Sequence, residues 1–167
     1  VENVVGQLGA LEVLFNCASH DPELGIEQIS RIEATFRGSV FAYLYLMTAA
    51  LPYLPDGGCV INSSSLGTGP APADPGHAAA ECAIVALTQS FARAAASRGI
   101  RVNAVACAVY RMDPQPPGDR AANRSPAHKR GESSGDAGAA CVFLACSDSQ
   151  HISGQILRLD LEHSTRA

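Results

Sequence analysis

Side chains that could carry out chemistry together are concentrated near the middle of this 167-residue chain. Ser64 and Ser65 end a run of three serines, and His77 and Glu81 follow, spaced by one helical turn. Such a set could form a hydrolase site, with Ser65 as nucleophile, His77 as base and Glu81 as the orienting group. However, the serines lack the GxSxG turn that exposes a hydrolase nucleophile. The simpler interpretation is a surface helix pair of His77 and Glu81, worth a few tenths of a kcal/mol.

The elements that must position these side chains alternate between apolar strands and helices. The predicted strands are residues 11–17, 58–64, 100–106 and 155–160. Their nearly continuous apolar character is typical of a parallel sheet that is covered on both faces. We therefore predict an α/β fold with about four parallel strands in chain order, with helices on both faces.

Four helical stretches separate or precede these strands. A short helix over residues 1–8 ends at Gly9, and the others span residues 29–51, 76–97 and 136–146. The second helix carries apolar residues at steps of three and four, namely Ile29, Ile32, Phe36, Val40, Leu44, Met47 and Leu51. Residues 111–135 are rich in Pro, Gly, Ser and charge, which predicts a mobile loop within a single domain over residues 1–167.

Composition excludes several classes of function. A net charge of −4 gives no overall field that would attract nucleic acid. Asp113, Asp119 and Glu132 are interspersed with the basic residues Arg111, Arg120, Arg124, Lys129 and Arg130, which favours a solvated loop over a binding patch. Neither a signal peptide nor a membrane-length apolar run is visible, so we expect a soluble, cytoplasmic protein without a membrane partner.

Six cysteines are present, and none of them forms a CxxC pair. Cys17 and Cys59 fall on predicted strands, and Cys82 and Cys141 fall on predicted helices with apolar neighbours. Because buried thiols behave as small hydrophobic groups, we expect these cysteines to be core residues rather than metal ligands.

The order of motifs resembles the C-terminal two-thirds of a short-chain dehydrogenase/reductase, most closely the ketoacyl-reductase-like branch. LEVLFNCAS is similar to the family's fourth strand and its Asn-Asn-Ala-Gly motif, and GCVINSSS to the strand that leads to the catalytic serine. RGIRVNAVACA and HISGQILRLD resemble the last two strands. The resemblance implies a truncated, doubly wound Rossmann-like fold and NAD(P) as cofactor, with Asn16 and Ala18 at cofactor-binding positions.

The chain departs from this family at the places that carry its chemistry. The family's proton-donating tyrosine and the lysine four residues later correspond to His77 and Glu81. The catalytic serine corresponds to Ser64 or Ser65. The family's helical asparagine corresponds to Phe36, or alternatively to Thr35. A carboxylate cannot donate hydrogen bonds to the nicotinamide ribose as the lysine does.

The part of the family that receives the dinucleotide pyrophosphate has no counterpart here, since no GxxxGxG precedes residue 11. We therefore expect no cofactor on this chain alone. The main hypothesis is a degenerate family member without turnover that acts as an oligomerisation or interaction module. It would form homo-oligomers or pair the bare edge of strand 11–17 with a partner strand. The alternative is an NAD(P)-dependent carbonyl oxidoreductase in which His77 replaces the tyrosine and a partner or upstream segment supplies the missing strands.

Overall fold

The computed structural model describes residues 1–17, 29–65, 75–107 and 133–159. The elements, in chain order, are α1 (Glu2–Leu8), β1 (Val13–Asn16), α2 (Ile29–Thr35), a π-helical segment (Phe36–Phe41), α3 (Ala42–Ala50), β2 (Cys59–Ser64), α4 (Pro75–Ala94), β3 (Arg101–Cys107), α5 (Ser133–Ala145) and β4 (Ile156–Leu159). The basic cluster and most of the predicted loop at 111–135 lie outside the described residues. Since α5 begins at Ser133, the end of that predicted loop is helical.

The four strands form one sheet in the order β1-β2-β3-β4. Each neighbouring pair is parallel, with Phe15 opposite Ile61 and Ser64 opposite Ala106. Both the predicted strand order and the predicted α/β class are confirmed. Because all strands run in one direction, the ends of β1, β2 and β3 meet at one edge of the sheet, where Asn16, Ser64 and Cys107 lie.

Helices cover both faces of this sheet. On one face, α3 and α4 pack against β2 and β3 in a cluster that includes Tyr43, Met47, Val60, Ile84 and Val102. On the other face, α5 completes a smaller cluster of Cys59, Ile61, Val105, Ala140 and Leu144. Successive side chains of β2 point to opposite faces of the sheet, so Val60 packs in the first cluster and Cys59 and Ile61 pack in the second.

The helix predicted over residues 29–51 is continuous but not regular. Its middle turn is π-helical, which inserts one residue and rotates the following helix relative to α2. Val40 and Met47 reach the core as expected, whereas Ile29 and Ile32 are 78% and 43% exposed. The prediction of one continuous apolar face was therefore wrong for the first half of the helix. The extra residue of the π-helical turn breaks the period of 3.6 residues, so the apolar residues before it do not lie on the same face as those after it.

Two arginines bind the carbonyls at the ends of helices. Arg101, which is 7% exposed, donates to the carbonyls of Leu144 at 2.6 Å and Ser149 at 3.3 Å and to the Ser149 hydroxyl at 2.7 Å. It also donates to the last carbonyls of α5 and its following turn. Arg98 donates to the Leu51 carbonyl at the end of α3 and to the Asp56 carboxylate. Since terminal helix carbonyls have no partners within the helix, these guanidinium groups satisfy them.

The free edge of β1 and several thiols are exposed. Among the described residues no strand pairs with the outer edge of β1, where Phe15 is 47% exposed. All six cysteines are free, but only Cys59 is buried. The prediction of buried thiols was wrong for Cys17 and Cys82, because Cys17 lies just past the end of the edge strand and Cys82 lies on the outer face of α4. Cys141 lies on α5 and is partly buried against the smaller core cluster.

In the part of the chain that the structure describes, no helix is both long and apolar enough to span a membrane. Within the same residues, no three His, Cys, Asp or Glu side chains are grouped closely enough to hold a metal ion.

Candidate functional site

A buried chain of polar side chains joins the sheet to α4 beneath the site. The Asn16 amide donates to Asn62 Oδ1 at 2.8 Å, and the Asn62 amide donates to Thr88 Oγ1 at 2.9 Å. The Thr88 hydroxyl in turn donates to the Ile84 carbonyl of α4 at 2.8 Å. This last donation fixes the direction of the chain, because Thr88 must then accept from Asn62 and Asn62 from Asn16. The Asn16 Oδ1 atom has no hydrogen-bond partner among the described residues. Asn62 and Thr88 were missed from the sequence, although an asparagine inside an apolar strand is a usable signal.

Glu81 lies at the centre of the site. Its Oε2 atom accepts the Ser64 hydroxyl at 2.8 Å and the Ser65 backbone N–H at 2.6 Å. The residue is only 4% exposed. The interpretation of His77 and Glu81 as a surface pair was therefore wrong. Helix α4 turns this face toward the end of β2, where the two serines leave the sheet.

His77 lies one turn before Glu81 and contacts the other serine. The His77 Nε2 atom is 3.3 Å from Ser65 Oγ and 3.8 Å from Glu81 Oε1. The His77 side chain remains 20% exposed, so solvent reaches this part of the site. The structure thus separates the two serines that the sequence left ambiguous: Ser64 bonds to Glu81, and Ser65 meets both His77 and Glu81.

Ser65, His77 and Glu81 do not form a serine–histidine–acid triad. In a triad the carboxylate binds the ring nitrogen opposite the one that faces the serine, and so fixes the histidine tautomer. Here Ser65 and Glu81 both approach His77 Nε2. Glu81 therefore cannot orient the ring in the manner of a triad acid, and the predicted hydrolase roles do not all fit.

Tyr43 is a further ionisable group near the site that the sequence did not single out. It projects from α3 and is 2% exposed. Burial raises the pKa of the Tyr43 hydroxyl far above its ordinary value, and the nearby Cys17 and Glu81 groups raise it further. The hydroxyl therefore stays protonated and cannot serve as a base near neutral pH.

The remaining predicted positions contribute in different ways. Thr35, one of the two candidates for the family asparagine, is buried at the end of α2. Phe36, the other candidate, begins the π-helical segment and stacks edge-on against Phe41, with 6.3 Å between ring centroids. Ala18, predicted at a cofactor position, lies outside the described residues.

Comparison with known proteins relates the whole chain to one family. A family model described as "Enoyl-(Acyl carrier protein) reductase" matches residues 1–161. Glucose and ribitol dehydrogenase of Daucus carota is 32% identical over 168 residues, which is 94% of this chain and 57% of that protein. Glucose and ribitol dehydrogenase homolog 2 of Arabidopsis thaliana is 37% identical over 114 residues, which is 64% of this chain and 38% of that protein. The chain thus spans between about a third and three-fifths of the length of these two curated relatives.

Solved structures agree on the fold. A short chain dehydrogenase from Mycobacterium smegmatis superposes with a TM-score of 0.76 at 23% identity, covering 99% of this chain and 64% of the other. A blue fluorescent protein from a metagenomic library, solved in complex with NADPH, gives a TM-score of 0.74 at 28% identity and covers 95% of this chain and 67% of the other.

Proposed function

Because the chain belongs to the short-chain dehydrogenase/reductase family, we propose that it is a degenerate cytoplasmic member that has no NAD(P)-dependent oxidoreductase turnover and acts as a self-associating module. Its six free cysteines suit a reducing compartment. The proposal has two parts, which rest on different surfaces and are tested separately.

The absence of turnover rests on one observation, the buried carboxylate of Glu81 at the position that resembles the family's lysine. A lysine there donates to the nicotinamide ribose, whereas a carboxylate only accepts. Glu81 Oε2 already accepts hydrogen bonds from the Ser64 hydroxyl and the Ser65 backbone N–H, so this oxygen is bound by groups of the protein itself. A negative group at this position cannot donate to the ribose hydroxyls. It also cannot lower the pKa of a neighbouring proton donor, as a positive lysine does.

The experiment follows NADPH fluorescence during titration and NADPH oxidation with a ketone present. We expect neither useful binding nor oxidation by this chain alone. The double variant His77→Tyr with Glu81→Lys restores both family residues, and we expect it to remain inactive, because no GxxxGxG turn is present in this sequence to hold the pyrophosphate. A dissociation constant for NADPH of about 1 μM, which corresponds to a binding free energy of about −8 kcal/mol, would contradict the proposal.

Self-association is supported by an uncharged surface formed by two neighbouring helical elements. Residues 38–55, which include α3, contain no Asp, Glu, Lys or Arg. Along α4 the exposed positions before Arg93 are also uncharged, namely Pro75, Ala79, Cys82, Ala86, Gln89 and Ser90. The solvent-facing side of a surface helix normally carries charges. Two adjoining helices without them favour a buried interface.

The shape of this surface suits a second copy of the same chain. The π-helical segment aligns Phe36, Phe41 and Tyr45 as a ridge, with centroids 6.3 and 6.2 Å apart in succession. Tyr45 is 67% exposed. The segment packs against α4, whose outer row consists mostly of small side chains. In a dimer with two-fold symmetry, the aromatic ridge of each copy can pack against the row of small side chains on α4 of the other copy. The same surface is then used twice, as an isologous dimer requires.

Light scattering across a concentration series tests this interface. We expect Tyr45→Glu to shift the monomer–dimer midpoint by at least about tenfold, since an unpaired buried carboxylate costs more than about 1.4 kcal/mol. The matched control is Val142→Glu, which places the same charge at an exposed apolar position of α5, away from this surface. Equal midpoints for the two variants would point instead to pairing through the open edge of β1.

One observation favours the alternative of an NAD(P)-dependent carbonyl oxidoreductase. His77 Nε2 lies 3.3 Å from Ser65 Oγ, so an imidazolium there could donate a proton to a carbonyl held by the serine. The rest of the cofactor site would come from an upstream segment or a partner. Ketone-dependent NADPH oxidation that is lost in His77→Phe would establish this function over the degenerate one.

A further inference from the structure

The two serines at the end of β2 differ in their reactivity. Ser64 is 4% exposed and donates its proton to the Glu81 carboxylate, so its oxygen is enclosed and its proton is engaged. Ser65 is partly exposed, and its Oγ atom faces an imidazole nitrogen at 3.3 Å. This spacing is slightly longer than the usual range of about 2.6–3.2 Å, as is common for a nucleophile and its base in an unliganded site.

The surroundings favour transfer of the Ser65 proton onto His77. When His77 carries its proton on Nδ1, the Nε2 lone pair can accept the hydroxyl proton of Ser65. The imidazolium formed would lie 3.8 Å from Glu81 Oε1, whose negative charge stabilises it. Glu81 Oε2 also binds the Ser65 backbone N–H at 2.6 Å, which holds the nucleophile beside the helix.

We propose that Ser65 and His77 form a nucleophilic dyad that accepts an acyl group from an activated ester, with Glu81 as a positioning residue. Ser65 Oγ bonds to the carbonyl carbon while its proton moves to His77 Nε2. The carbon–oxygen bond to the leaving group then breaks, the aryloxide departs, and His77 returns the proton to the aryloxide or to solvent. Water completes the cycle by attacking the Ser65 ester, with His77 accepting and then returning one proton.

This activity uses no nicotinamide, so its failure would leave the proposed function standing. It also differs from a triad of Ser65, His77 and Glu81, since Glu81 approaches the same His77 nitrogen as the serine does. The site recognises its substrate by the electrophilic carbonyl. Activated aryl esters are therefore the substrate class to test first.

The test incubates the protein with p-nitrophenyl acetate, follows p-nitrophenolate release and maps the acetyl group by peptide mass spectrometry. We expect one acetyl group on Ser65 and none on Ser64. His77→Gln should slow acetylation of Ser65 about 100-fold, the scale of a lost general base. Glu81→Gln should slow it less, and its pH–rate profile should shift, which a purely structural role would not cause.

The control variant is Ser90→Ala, an exposed serine of α4 outside the cluster, which should react as the parent protein does. Circular dichroism establishes that each variant is folded. Acetylation confined to the cysteines or to Lys129 would overturn the proposal, as would a folded His77→Gln variant that acetylates Ser65 at the parent rate.

Discussion

Replacing Glu81 provides the most direct test of how the site is built. In Glu81→Leu the side chain keeps roughly its size but loses both oxygens. The backbone N–H of Ser65 then has no acceptor from α4, and the Ser64 hydroxyl must reorient. The hydroxyl can rotate to another acceptor, whereas the N–H cannot, so most of the loss comes from Ser65.

The magnitude follows from these two bonds. A hydrogen bond to a charged group contributes about 1.5–3 kcal/mol, and an unsatisfied buried donor costs about 1–3 kcal/mol. Removing a buried carboxylate recovers part of this, because its desolvation is no longer required. We expect a net loss of about 2 kcal/mol, which for a chain of this size lowers Tm by about 4–8 °C.

The matched variant is Glu81→Gln, which keeps an oxygen acceptor for Ser65 while it removes the charge. We expect it to lose about 1 kcal/mol or less, because neutral hydrogen bonds are about half as strong. Urea unfolding followed by circular dichroism measures both variants. A Glu81→Leu protein as stable as the parent, or one no less stable than Glu81→Gln, would refute the assignment of Glu81 as the acceptor that joins β2 to α4.

Two further predictions concern stability away from the site. Arg101→Met should lower the free energy of unfolding by about 3 kcal/mol, since two short charged bonds are lost, one to the Leu144 carbonyl of α5 and one to the Ser149 hydroxyl after it. The exposed control Arg158→Met should stay within about 0.5 kcal/mol of the parent, and an equal effect of the two would contradict the capping role. Burial raises the pKa values of Cys59 and Tyr43 above their ordinary values of 9.0 and 10.0, so the unfolded chain releases these protons first. Stability should therefore fall from about pH 9 upward, and in Tyr43→Phe the additional fall above about pH 10 should be smaller in urea titrations.

Much of the fold could be predicted from local sequence. The apolar segments that contain Val60 and Val102 are short and uninterrupted, and helical stretches of adequate length separate them. These features require buried parallel strands, and the resemblance to a known family indicated the same order. The start of α4 near Gly76 was also predictable, and with it the placement of His77 and Glu81 on one face, because their spacing equals one helical turn.

Which way that face turns depends on contacts between distant segments. A helical repeat places His77 and Glu81 together but does not say whether they face water or the end of β2. The burial of Glu81 follows from the packing of α4 against the sheet, and the choice between Ser64 and Ser65 follows from where β2 ends relative to that helix. Neither is a property of the local pattern.

The π-helical turn illustrates the same division. The apolar spacing of residues 29–51 determined that a long helix forms there and that Met47 reaches the core. The inserted residue between Phe36 and Phe41 changes which residues share a face, so the exposed aromatic ridge could not be derived from a constant helical period. Secondary structure depends mainly on neighbours along the chain, whereas burial and hydrogen-bond partners depend on neighbours in space, and only the tertiary structure decided those.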